Sequence, residues 1–123
     1  MPPIYSIAVA GDFSAAHRLP DHPGPCAAMH GHNFQVTAEI CADTLVNGMV
    51  ADFLDVRTAM EAIFADLDHA CLNDVPALDP PTAEVLAGYI LARLKDRLDD
   101  GRARVTAVTV VESRGMAATC REA

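Results

Sequence analysis

The sequence contains no long apolar run. Nothing in it approaches the roughly 18 consecutive apolar residues that a membrane-spanning helix needs. Its first residues carry neither a basic stretch nor a long apolar segment, so nothing in them suggests a secretory signal. We therefore expect a soluble, cytoplasmic protein with no membrane partner.

Basic residues are scarce and scattered. Lys95 is the only lysine, the arginines form no run, and the formal net charge is −8 at pH 7. Nucleic acids and anionic membrane surfaces bind to clustered Lys and Arg, so neither is expected as a partner. A small anionic molecule stays possible, because a few local arginines or a helix N-terminus can hold one.

Cysteines are few and widely spaced, at positions 26, 41, 71 and 120, which excludes the dense pattern of a secreted disulfide scaffold. The sequence also has no internal repeat and no low-complexity segment. With 123 residues it has the length of one compact domain, with little left for a second. We expect a single domain over residues 1–123.

Two segments near the N-terminus alternate apolar and polar residues, which indicates β-strands. The first covers Ile4–Ala10 and is expected to continue towards Ala16, so that His17 lies near its end. The second alternates strictly over Asn33–Ile40 and is expected to begin at Met29.

The parity of this second strand places side chains on defined faces. Its apolar positions are Phe34, Val36, Ala38 and Ile40. Because alternate residues of a strand share a face, His30 and His32 should project from the same side as the apolar set.

After the second strand, the spacing of the apolar residues changes from that of a strand to that of a helix. Apolar residues recur at helical spacing from Val56 to Leu67, with Asp55 as the expected N-cap and an end near Asp68. The preceding Met49–Phe53 is expected to form a short extended piece.

A second helix is expected after two prolines, with Thr82 as N-cap, Glu84 in its first turn and an end near Leu98. Val105–Val111 and Ala117–Arg121 then have the composition of two further strands. The order strand, strand, helix, helix, strand, strand predicts an α+β fold with both helices on one face of the sheet.

Three of the five histidines fall together in this arrangement, with a cysteine close by. Side chains two residues apart on a strand have Cα atoms about 6.5–7 Å apart on one face, so His30 and His32 can bind one ion. His17 would end the neighbouring strand. Structural zinc sites use four protein ligands, usually with several cysteines, whereas three histidines with an open position are typical of catalytic sites. Cys26 could be a fourth ligand, a nucleophile or base, or an inert thiol.

Three further residues can carry chemistry, each with a plainer alternative. Asp68 and His69 could form a carboxylate–imidazole pair for proton transfer, or simply a polar helix terminus. Glu112 could hold an amino-pyrimidine edge through paired hydrogen bonds, or be a solvated strand end.

Six motifs resemble, in order along the chain, the family of 6-pyruvoyltetrahydropterin synthase and 6-carboxytetrahydropterin synthase. They are Phe13–Leu19, Cys26–Asn33, Gly48–Phe53, Leu67–Asn73, Pro81–Glu84 and Glu112. The resemblance implies the tunnelling fold, a four-stranded antiparallel sheet with two helices inserted between its strand pairs. It also implies homotrimers or homohexamers with active sites at subunit interfaces.

The resemblance also implies roles for individual residues. The implied Zn²⁺ ligands are His17, His30 and His32. The implied catalytic residues are Cys26 as proton-abstracting base, with Asp68 and His69 as its acid/base partners. The implied substrate contacts are Glu112 as pterin anchor, with Thr82 and Glu84 contacting the pterin from a neighbouring subunit.

The spacing between Cys26 and His30 resembles that of the bacterial 6-carboxytetrahydropterin synthases of queuosine and related deazapurine biosynthesis. Pyruvoyl-forming relatives usually carry a longer insert, and a folate-pathway subfamily has glutamate in place of the cysteine. The implied reaction converts 7,8-dihydroneopterin triphosphate to 6-carboxytetrahydropterin with release of acetaldehyde and triphosphate. The alternatives are pyruvoyl formation or another pterin side-chain lyase activity, and a non-catalytic zinc- or pterin-binding homologue. The segment after Glu112 departs from the family pattern over residues 113–121.

Overall fold

The computed structural model describes residues 2–123 and contains one four-stranded antiparallel sheet with strand order β1-β2-β3-β4. The elements are β1 (Tyr5–His17), β2 (His30–Ala42), α1 (Phe53–Leu67), α2 (Ala83–Leu98), β3 (Arg104–Ser113) and β4 (Met116–Arg121), with short 3₁₀ turns at Pro25–Ala27 and Leu72–Asp74. Both helices lie between β2 and β3 in the chain, which confirms the predicted α+β order. None of the helices within residues 2–123 is long and apolar enough to cross a membrane.

The two N-terminal strands bring the three histidines to one end of the sheet. The register pairs His17 with His30 and Ala15 with His32. The apolar positions of β2 are buried, and His30 and His32 continue the same parity as half-buried residues at its start. The predicted sharing of one face is therefore confirmed.

The helices cover the apolar face of the sheet. The buried residues of α1 are Val56, Ala59, Met60, Ile63, Phe64 and Leu67, which is the predicted stripe. Together with the inward residues of α2 and of the strands, they form one hydrophobic core. The opposite face of β1 and β2 carries mostly exposed polar or small side chains.

The start of α1 differs from the prediction. The N-cap is Asp52, whose carboxylate accepts the N–H of Leu54 at 2.8 Å, while Asp55 lies inside the first turn. Phe53 belongs to the helix, so the extended piece predicted for Met49–Phe53 is wrong at its end. Phe53 and Leu54 are exposed, so the periodic pattern of buried apolar residues does not extend into this first turn.

The N-terminus of α2 agrees with the prediction. The Thr82 hydroxyl accepts the N–H of Val85 at 3.2 Å, and Glu84 lies in the first turn. The helix ends at Leu98, as expected.

The only lysine fastens the last turn of α2 to the C-terminal end of the chain. Lys95 Nζ donates to the carbonyl of Val105 at 3.0 Å and lies 2.8 Å from Asp99 Oδ2 and 3.4 Å from Glu122 Oε1. The hydrogen bond to Asp99 is the main cause that raises the pKa of Lys95. The ammonium therefore stays charged while it joins the helix, β3 and the C-terminal tail.

Replacing Lys95 with methionine is expected to lower the free energy of unfolding by about 1 kcal/mol, because three acceptors lose a charged donor at a partly exposed site. Urea denaturation at neutral pH measures this change. Arg97→Met is the matched control, since Arg97 lies in the same turn and has no ion pair within residues 2–123. Equal losses in both variants would contradict the role given to Lys95.

Candidate active site

Three histidines and one glutamate converge at one end of the sheet. One ligand atom from each of His17, His30, His32 and Glu112 lies within 4.8 Å of every other. Glu112 Oε1 is 2.8 Å from Nε2 of His17, 3.3 Å from Nε2 of His32 and 3.9 Å from Nε2 of His30. The end of β1, the start of β2 and the end of β3 each contribute to this cluster.

Backbone carbonyls orient two of the imidazole rings. Nδ1 of His17 lies 2.7 Å from the carbonyl oxygen of Pro81, and Nδ1 of His30 lies 2.7 Å from that of Ala28. A carbonyl oxygen can only accept, so each Nδ1 carries a proton. In the neutral imidazoles, both Nε2 atoms then offer a lone pair to the cluster. Metal-binding histidines are typically held in this way.

His17 shows why the cluster fits a cation. Its ring is completely buried, and its Nε2 has no hydrogen bond of acceptable geometry although Glu112 Oε1 is 2.8 Å away. A nitrogen lone pair and a carboxylate oxygen at this separation repel each other unless positive charge lies near both.

The spacing of the donor atoms also agrees with a metal ion. Ligand atoms of a tetrahedral zinc site, each about 2.0–2.1 Å from the ion, are roughly 3.3 Å apart. The separations between Glu112 Oε1 and the three Nε2 atoms range from 2.8 to 3.9 Å. This donor set could therefore hold a divalent metal.

Burial lowers the pKa of His32 below the ordinary histidine value of 6.5. The Glu112 carboxylate opposes this effect, and the charges of His30 and His17 reinforce it. Between the lowered pKa and 6.5, the folded state binds fewer protons at this site than the unfolded state. The free energy of unfolding of the metal-free protein is therefore expected to rise with pH through that window.

An NMR titration of the metal-free protein should give a His32 midpoint below 6.5. The variant His32→Asn should show a smaller increase in stability over the same pH range. A midpoint above 6.5 would contradict the expected effect of burial.

A cavity adjoins the cluster. It has a volume of about 260 Å³ and is lined by Glu112 together with Glu84 from the first turn of α2 and residues of β4. Two carboxylates thus face a small cavity beside the histidines. Thr82 is not among the residues that line it, and its hydroxyl is engaged in capping α2.

Asp68 and His69 lie beside the outer edge of β1. Nδ1 of His69 is 2.9 Å from Asp68 Oδ2, and Asp68 Oδ1 accepts the N–H of Ser14 at 2.9 Å. The Ser14 hydrogen bond is the largest cause that lowers the pKa of Asp68 below its ordinary value. His69 adopts φ of 57°, uncommon for a residue other than glycine, and its side chain is 84% exposed. Its Nε2 is therefore accessible from outside the chain.

Cys26 lies in the Pro25–Ala27 turn as a half-buried free thiol. Within residues 2–123, the cluster of His17, His30, His32 and Glu112 contains neither Cys26 nor Asp68 nor His69. The structure thus assembles the three predicted histidine ligands in one chain, and it leaves the three predicted proton-transfer residues outside their cluster.

The cluster includes one feature that the sequence did not indicate. Glu112 was expected to be separate from the ligands, yet its carboxylate lies among them. The carbonyl groups of Pro81 and Ala28 were also missed, because a backbone acceptor leaves no signal in residue type. Pro81 does belong to the motif Pro81–Glu84, and this membership was the sequence signal that could have placed it near the site.

The family model described as 6-pyruvoyl tetrahydropterin synthase matches residues 6–123. The chain belongs to this family. A putative 6-carboxy-5,6,7,8-tetrahydropterin synthase of Archaeoglobus fulgidus is 38% identical over 100 residues, covering 80% of this chain and 84% of that protein. A 6-carboxy-5,6,7,8-tetrahydropterin synthase of Synechocystis is also 38% identical, over 90 residues that cover 68% of this chain and 70% of the relative.

A solved structure confirms the fold of this family member. The 6-pyruvoyl tetrahydropterin synthase of Caenorhabditis elegans superposes with a TM-score of 0.87 at 25% identity, covering 98% of this chain and 97% of the other. The predicted tunnelling fold, with its four-stranded sheet and two inserted helices, is therefore correct.

Proposed function

We propose that this chain is a zinc-dependent 6-carboxytetrahydropterin synthase of queuosine or related deazapurine biosynthesis. Its substrate would be 7,8-dihydroneopterin triphosphate, and its products 6-carboxytetrahydropterin, acetaldehyde and triphosphate. The observation that carries the proposal is that ligand atoms of His17, His30, His32 and Glu112 lie within 4.8 Å of one another, beside a carboxylate-lined cavity. The chain's relatives named as 6-carboxytetrahydropterin synthases support the choice of product.

The residues of the cluster would have two roles, metal binding for the histidines and substrate binding for Glu112. His17, His30 and His32 would hold Zn²⁺, with His17 and His30 oriented by the carbonyls described above. Bound zinc would polarise the side-chain oxygens of the substrate and stabilise the negative charge that develops on them. In the proposed complex the Glu112 carboxylate would turn from the histidines to the pterin and accept hydrogen bonds from its amino-pyrimidine edge, in the cavity that Glu84 also lines.

Cys26, Asp68 and His69 would move the protons. The Cys26 thiolate would remove a carbon-bound proton from the substrate side chain. Asp68 accepts a hydrogen bond from Nδ1 of His69. Nε2 of His69 is then free to exchange a proton with the substrate atom next to the carbon that Cys26 deprotonates.

A site completed between subunits would bring these groups together. His69 is largely exposed, and the three proton-transfer residues lie outside the metal-binding group of their own chain. We propose that residues 1–123 act as one domain in a homotrimer or homohexamer, with Thr82 and Glu84 near the subunit boundary. The four free cysteines suit a reducing compartment such as the cytoplasm.

Product analysis tests the proposal. The zinc-loaded protein is incubated with 7,8-dihydroneopterin triphosphate, and pterins, triphosphate and acetaldehyde are quantified. Equal amounts of acetaldehyde, triphosphate and 6-carboxytetrahydropterin are expected. Triphosphate release without acetaldehyde would instead indicate pyruvoyl formation. Intact zinc with no consumption of the substrate would indicate a non-catalytic homologue.

A further inference from the structure

Residues 68–73, here called the edge segment, lie alongside the last part of β1. The segment forms a parallel bridge between Ala16 and Cys71. The N–H of His69 donates to the carbonyl of Ser14, and the N–H of Ala16 donates to the carbonyl of Ala70 at 3.0 Å. The backbone that carries Asp68 and His69 is thereby attached to the strand that ends at His17.

Side chains fix both ends of the edge segment. At its start, Asp68 Oδ1 accepts the N–H of Ser14 at 2.9 Å. At its end, Asn73 Oδ1 accepts the N–H of Arg18 at 2.8 Å, and Asn73 Nδ2 donates to the carbonyl of the same Arg18 at 2.9 Å. One amide group therefore satisfies both backbone groups of the residue that follows His17.

The loop that begins at Arg18 carries Cys26 and returns to β2 through Met29. Directly after Arg18, the N–H of Leu19 donates to the carbonyl of Cys26 at 2.8 Å. Near the other end of the loop, the Sδ of Met29 lies 3.9 Å from the Sγ of Cys71, which is also 4.0 Å from Asn73 Oδ1. The edge segment thus contacts both ends of the loop that contains Cys26.

We propose that Asn73 is a positioning residue that holds the Cys26 loop in a fixed relation to the edge segment and to His17. The inference rests on the proposed function only in taking Cys26 as the base. Asn73 acts through the backbone of Arg18 and Leu19, and Cys71 supports the other end of the loop through Met29. The end of β1, the Cys26 loop and the edge segment are then held together by hydrogen bonds within one chain.

Asn73→Ala is the direct test. It removes both hydrogen bonds to Arg18 while the strands that carry the histidines stay paired. We expect kcat to fall about 10- to 100-fold, as is typical when a group that orients an active site is removed, with KM changed less than about threefold. Zinc content should equal that of the wild-type protein. Asn73→Asp has nearly the same size but replaces the Nδ2 donor with an oxygen, so it should show the same split between kcat and KM.

A second measurement needs no pterin. The rate at which iodoacetamide alkylates Cys26 is followed by peptide mass spectrometry, and it should rise on the order of three- to tenfold in Asn73→Ala as the loop gains freedom. Asp74→Ala is the matched control, because Asp74 is exposed in the same 3₁₀ turn and makes no side-chain hydrogen bond within residues 2–123. Its alkylation rate and kcat should match the wild type.

The outcomes separate this inference from the proposed function. An unchanged alkylation rate at Cys26 in both Asn73 variants, or an equal change in Asp74→Ala, would overturn the role of Asn73 even in an active enzyme. If the wild-type protein consumes no pterin triphosphate, the proposed function fails, and the alkylation rates still decide whether Asn73 positions the loop.

Discussion

Replacing Cys26 with alanine is expected to lower kcat by about 10²- to 10⁴-fold, the range for losing a general base. Zinc content should stay at the wild-type level, because Cys26 is not part of the His17, His30, His32 and Glu112 group. The free energy of unfolding should change little, since the thiol is only half-buried in a surface turn. Steady-state turnover, metal analysis and urea denaturation of one preparation measure all three properties.

Cys41→Ala is the matched control for the Cys26 variant. Cys41 is also a half-buried free thiol, but its Sγ lies 3.3 Å from the Thr106 hydroxyl, on the face of β2 opposite to His30 and His32. Turnover in this control should remain close to that of the wild type. Wild-type activity in Cys26→Ala would rule out Cys26 as the base, and loss of zinc would make it a metal ligand instead.

Replacing His17 with alanine is expected to remove both the metal and activity, and to lower the free energy of unfolding by about 2–4 kcal/mol. The imidazole is completely buried, so its loss leaves a cavity and removes the donor to the Pro81 carbonyl. That carbonyl belongs to the segment leading into α2, so the loss of the hydrogen bond should destabilise the start of the helix as well as the sheet. Metal analysis and chemical denaturation in the presence of a chelator separate the two effects.

His22→Ala provides the comparison for His17. His22 lies in the loop between β1 and β2, where its Nδ1 accepts the N–H of Gly24, and it is not a member of the cluster of His17, His30, His32 and Glu112. Its removal should leave zinc content and turnover near wild-type values. A His17 variant that retained a full complement of zinc would refute the assignment of His17 as a ligand.

Local sequence patterns were sufficient to predict the helices and strands and the face of β2 from which His30 and His32 project. The strict alternation over Asn33–Ile40 fixes which face of β2 is buried, and it also fixes the direction of His30 and His32. The helical spacing of apolar residues in α1 and the capping hydroxyl of Thr82 at the start of α2 are equally local signals. Each depends on neighbours within a few residues, which is why the sequence alone could show them.

Contacts between distant segments were harder to predict. Glu112 enters the histidine cluster because β3 pairs with β2 in a register that matches Val111 with Gln35. On its other side, the pairing of β3 with β4 shifts between Val111 and Ser113, the two residues that flank Glu112. That register depends on how the helices pack, which no short motif records. The amide of Asn73 reaches Arg18 across 55 positions of the chain for the same reason. The Asp52 cap was missed because the first turn of α1 is exposed, so its beginning lacks an apolar pattern.

The edge segment also covers part of the open edge of the sheet. An unpaired strand edge is a template for sheet growth between molecules, and β1 is an edge strand. Residues 68–73 cover that edge from Ser14 to Arg18, whereas within residues 2–123 no backbone hydrogen bond from another segment reaches the outer edge at Tyr5–Phe13. The part of β1 nearest the histidines is thus shielded from unwanted strand addition. Within the described residues, the part of the β1 edge that no other segment pairs with is its first part, at the end of the strand opposite to His17.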